Sequence, residues 1–83
     1  MFNYMETICN FLNNTKGEIN RDELAYLVAF RLGRRTYEVK QHITDRDIKI
    51  VSLEVDCDNA FGFYENIDII SDRINVDLLR ESE

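Results

Sequence analysis

DIKIVSLEVDCDNAFGFYENID, residues 47–68, is the stretch on which the fold turns. Val51, Leu53 and Val55 alternate with Ser52 and Glu54, while Ile48 and Ile50 fall on the opposite phase. Alternation of β-branched residues reads as a strand over Asp47–Asp56, with both faces partly covered or a bulge near Ile50–Val51. Cys57, Asp58, Asn59 and Ala60 then offer Asp and Asn where a hairpin turn takes them. Phe61, Phe63, Ile67 and Ile69 alternate with Gly62, Tyr64, Asn66 and Asp68, which gives a returning strand ending near Asp68. A helix competes for this second half, because Phe63, Ile67, Ile70, Ile74 and Leu78 also share one helical face. The reading adopted is a β-hairpin followed by a short helix, N-capped by Ser71, with Ile74, Leu78 and Leu79 packing inward.

Upstream of the hairpin the pattern is helical. Phe2, Met5, Ile8, Phe11 and Leu12 recur at spacings of three and four, predicting a helix from Asn3 to Asn13. Asn13 to Gly17 reads as a turn. Asn20 with Glu23 three residues on forms a capping-box pair, so a second helix begins near Arg21 and carries the apolar run ELAYLVAF. Gly33 lets the chain turn, and Thr36 caps a third helix, Tyr37–Ile43, with Tyr37, Val39 and Ile43 as its apolar contacts. The same TYEVKQHI also alternates, so a strand stays open there. The expected fold class is α+β: one domain over residues 1–83, with three N-terminal helices, a β-hairpin and a short C-terminal helix.

Composition narrows the classes of function. Eighty-three residues bury only a modest core, and a hydrophobic share of 45% is that of a globular chain, not a disordered one. No apolar run reaches the length of a membrane span, and MFNYMETICNF lacks the basic flank of a signal peptide. Two cysteines, Cys9 and Cys57, are too few for a disulfide scaffold and fit a reduced, cytoplasmic setting. Together with His42, the lone histidine, they have no zinc-ligand spacing, and no nucleophile is matched to a base and an orienting group. Neither an enzyme nor a metal or other cofactor is expected.

Charge is divided along the chain. Residues 1–49 carry a net +1 and residues 50–83 a net −7, for −6 in all. Against that background Ala29–Ile43, AFRLGRRTYEVKQHI, is +3. An apolar helix, a glycine turn and a second basic helix is the build of a helix-turn-helix reader. Ala29, Leu32, Gly33 and Val39 stand at that family's spacing, although Arg34 takes a position that is usually apolar. The segment resembles the winged helix-turn-helix family, which implies a hairpin as wing and a transcription regulator that binds DNA. Arg31, Arg34, Arg35 and Lys40 would meet phosphates, and Gln41 and His42 would reach base edges.

The acidic residues support a rival reading. Glu54, Asp56, Asp58, Glu65, Asp68, Asp72 and Asp77, with Glu81 and Glu83, would line a convex face on the hairpin and following helix. Such a face would imitate nucleic-acid phosphates or meet a basic host protein, as inhibitors from phages and mobile elements do. The aromatics Phe2, Tyr4, Tyr26 and Tyr64 exceed what so small a core hides, and a homodimer through the first helix is expected.

Overall fold

The computed structural model describes residues 19–57 and 59–81, and every described element is helical. The helices are α1 (Arg21–Leu32), α2 (Thr36–Lys40), α3 (Asp45–Asp56) and α4 (Ala60–Glu81). The predicted helix over Asn3–Asn13, with Phe2 and Tyr4, lies outside the described residues.

The α1 start follows its sequence signal. Asn20 Oδ1 accepts from the Glu23 N–H at 2.8 Å, and Glu23 Oε1 accepts from the Asn20 N–H at 3.1 Å. Leu24, Ala25, Leu27, Val28 and Ala29 form its buried side. The helix ends at Gly33, which takes φ 67° and donates its N–H to the Ala29 carbonyl. A side chain at position 33 would meet no neighbour, yet the left-handed backbone would strain it by about 1–2 kcal/mol.

The β-hairpin is corrected to two helices. Thr44 Oγ1 accepts from the Asp47 N–H at 3.1 Å, and Asp47 Oδ2 accepts from the Thr44 N–H at 2.9 Å. That reciprocal cap nucleates α3 where a strand was expected. Val51 and Val55, four apart, face the core, whereas Leu53 between them is exposed. Asn59 marks a helix start instead of a hairpin turn: its Oδ1 accepts from the Gly62 N–H at 3.1 Å. From there α4 runs for 22 residues without interruption, about 33 Å, through both the expected second strand and the expected Ser71 helix. Phe63, Ile67, Ile70, Ile74 and Leu78 are its buried face. Ser71 is buried within it and caps nothing, and Leu79 points outward.

The third predicted helix is shortened. It spans Thr36–Lys40, with Val39 buried, Ile43 buried beyond its end and Tyr37 exposed. Of the aromatics expected at an interface, Tyr26 is exposed and Tyr64 packs partly against the core. In the assembled fold α1 lies against α2 and α4, and α3 lies against α4. Leu24, Leu27, Val39, Val51, Phe63 and Ile67 meet in a single cluster between them.

Two arginines fasten the connection from α2 to α3. Arg21 donates to the Ile43 carbonyl and the Asp45 carboxylate. Arg73, on α4, donates through Nη1 and Nη2 to the two Asp47 oxygens at 2.7 and 2.6 Å, and through Nη2 to the His42 carbonyl at 3.1 Å. Carbonyls freed between two helices are thereby satisfied. Burial alone would raise the Asp47 pKa, but the Arg73 and Thr44 hydrogen bonds outweigh it and hold it below the ordinary value of 3.8.

Candidate functional site

The six basic and amide residues expected to contact DNA do not form one open surface. Arg31 pairs with Asp68 of α4 at 3.1 Å, and Lys40 pairs with Asp22 of α1 at 2.6 Å. The His42 ring is half-buried, with Nε2 3.1 Å from Glu81 and Nδ1 4.0 Å from Asp77. Gln41 Nε2 donates to the Glu38 carbonyl at 3.4 Å. Arg34, Arg35 and Gln41 are exposed, and among the described residues neither of the two arginine side chains has an acidic partner. The helix carrying this segment has five residues, fewer than two turns. A groove-reading helix presents bases with side chains spread over more length than that.

The acidic set is dispersed as well. Its expected platform, the hairpin, is absent among the described residues. Asp68 and Asp77 are drawn to Arg31 and His42, and Glu54 reaches into the space above Gly62 that a side chain there would fill. Asp56 is exposed at the end of α3, and Asp58 lies outside the described residues. Glu65 and Asp72 are exposed on the outer side of α4.

Those two acids share their side with apolar residues that sequence reading did not group. Phe61, Ile69, Val76 and Leu79 are 79, 65, 47 and 54% exposed. At about 100° per residue, the row Phe61, Glu65, Ile69, Asp72, Val76, Leu79 falls within an arc of about 80°. It lies opposite the buried face centred on Ile67 and Ile74. α4 is thus apolar on two opposite sides, one in the core and one in solvent, and a helix apolar on both sides is normally covered on both. Beside Ile69, Ile50 of α3 widens the stripe into a groove of about 400 Å³ whose polar wall includes Arg46 and Arg73. The signal was present in the sequence: half a turn round the helical wheel from Phe63 lies the second row. Reading residues 61–68 as a strand put Phe61 and Phe63 on one face and hid it.

A larger groove of about 530 Å³ lies between Ile19 and α3, lined by Ile48, Ser52 and Leu53. No group of three metal-ligating side chains occurs among the described residues, and no described helix is long and apolar enough to cross a membrane. Comparison with known proteins finds no matching family model, no similar curated protein and no similar solved structure.

Proposed function

We propose that the chain is a small non-enzymatic regulatory or inhibitory protein of the cytoplasm that binds a basic protein partner through the outer side of α4. The observation that supports this is the exposed row of four apolar and two acidic side chains opposite the core. Covering those apolar groups is worth roughly 1–2 kcal/mol each, a gain that only an occupant of this face collects. Glu65 and Asp72 would lose water in the same contact, so the occupant supplies Lys or Arg against them. The exposed free thiol of Cys57 is in keeping with a reducing compartment.

DNA contact through the turn is the rival. It rests on Arg34, Arg35 and Gln41, and two free cations neutralise few phosphates for a chain of net charge −6. The test captures the partner from lysate on wild-type protein, purifies it and titrates it against two variants. Asp72→Lys is expected to weaken binding by about tenfold or more, and the Arg34→Ala, Arg35→Ala double variant to leave it within about twofold. Duplex DNA at low salt is titrated in parallel. Retention on DNA that depends on Arg34 and Arg35, with Asp72→Lys indifferent, would overturn the proposal in favour of the rival.

A further inference from the structure

Resting on that reading, we infer that the partner element covering α4 is a single amphipathic helix with two basic residues one heptad apart. The row Glu65, Ile69, Asp72, Val76, Leu79 advances by four, three, four and three residues. Residues so spaced form one straight side of the helix, along which a second helix can lie with its side chains between theirs, apolar at Ile69, Val76 and Leu79 and charged at Glu65 and Asp72. The seam is about 21 Å long and one side chain wide, a shape that a helix matches along its whole length. Where Ile50 joins Ile69, the groove between α3 and α4 offers the hole that a large apolar side chain of the facing helix would enter.

The charges choose the occupant. Glu65 and Asp72 are seven residues apart, so they project from the seam about 10.5 Å apart. A facing helix meets them with Lys or Arg at the same heptad spacing and meets Ile69, Val76 and Leu79 with apolar residues between. A second copy of this chain fits poorly. Asp72 is the middle of the row, so a fully overlapped symmetric pair sets Asp72 against Asp72 whether the helices run parallel or antiparallel. Two copies also bring net charges of −6 together. The row itself contains no cation; of the two arginines in the wall of the adjoining groove, Arg73 is held by Asp47 and Arg46 stands at the edge of the row.

The probe is a pair of synthetic helical peptides with leucine at the seam positions. One carries lysine at the two positions facing Glu65 and Asp72, and its twin carries glutamate there. By fluorescence anisotropy the lysine peptide should bind the full chain about tenfold or more tighter than its twin, and Asp72→Lys should invert that preference. Thermal melts of both proteins confirm that the surface change leaves the fold intact. Equal affinity for the two peptides, no binding of either, or a preference that survives Asp72→Lys would overturn the inference. So would sedimentation as a dimer that Val76→Ser dissolves. If the peptides fail while the purified partner still depends on Asp72, the helical occupant is wrong and the binding face stands; if both fail, the face is wrong too.

Discussion

Replacing Asp47 by alanine is expected to remove about 2–4 kcal/mol of folding stability. Its side chain is 6% exposed and is held at both oxygens by Arg73, while it also caps α3 through Thr44. Alanine would leave the Thr44 N–H without its acceptor and Arg73 without its counter-charge. Arg73 is 42% exposed along its side chain and regains some water, which places the loss below the largest values seen for buried pairs.

The same pair sets a pH dependence. The folded Asp47 pKa lies below its ordinary value of 3.8, so its contribution is complete above that value. It is lost as pH falls below 3.8 and through the depressed folded value, because the unfolded chain then takes up the proton more readily. Urea unfolding of wild type and Asp47→Ala should therefore show a wide gap near neutral pH that narrows in acid. Equal stabilities near neutrality would mean that the Arg73 clamp contributes nothing.

Phe63→Ala and Phe61→Ala should differ sharply despite being two residues apart. Phe63 is fully buried, and its truncation should cost about 3–5 kcal/mol. Phe61 is 79% exposed, and its truncation should change stability by about 0.5 kcal/mol or less. On a strand the two would share a face and behave alike, whereas on a helix they lie about 200° apart. Thermal or urea denaturation of the two variants reads the difference, and matched losses would contradict α4 as described.

How much of this was legible depends on how local each signal was. Asn20 with Glu23, and Gly33 after Leu32, are complete within a few residues, and both formed as read. Thr44 with Asp47 was an equally local helix start. It competes with Ile48, Ile50, Val51 and Val55, which are good strand formers, but strand preference yields readily to packing. Asn59 suits a hairpin turn and a helix cap alike, so the residues on either side had to decide. The helical face Phe63, Ile67, Ile70, Ile74, Leu78 stands in the sequence beside the strand alternation, and it is the one that packs.

The candidate surface was less legible, for a different reason. Arg31, Lys40 and His42 are basic in sequence, but their acidic neighbours Asp68, Asp22, Asp77 and Glu81 are brought to them only by the packing of α1, α2 and α4. A cluster of cations in sequence therefore became a set of internal pairs, with Arg34 and Arg35 left over. The apolar row on α4 emerged only once residues 60–81 were one helix.

The outer side of α4 as the working surface is tested most directly by photo-crosslinking in the cells that make the protein. A photo-reactive amino acid replaces Ile69 or Val76 in one pair of variants, and Arg35 or Tyr37 in the other. All four positions are exposed, so none of the replacements disturbs the core. A discrete protein adduct is expected from positions 69 and 76, lost when Asp72→Lys is added, and none from 35 and 37. Adducts to nucleic acid or protein from positions 35 and 37, with positions 69 and 76 silent, would contradict it.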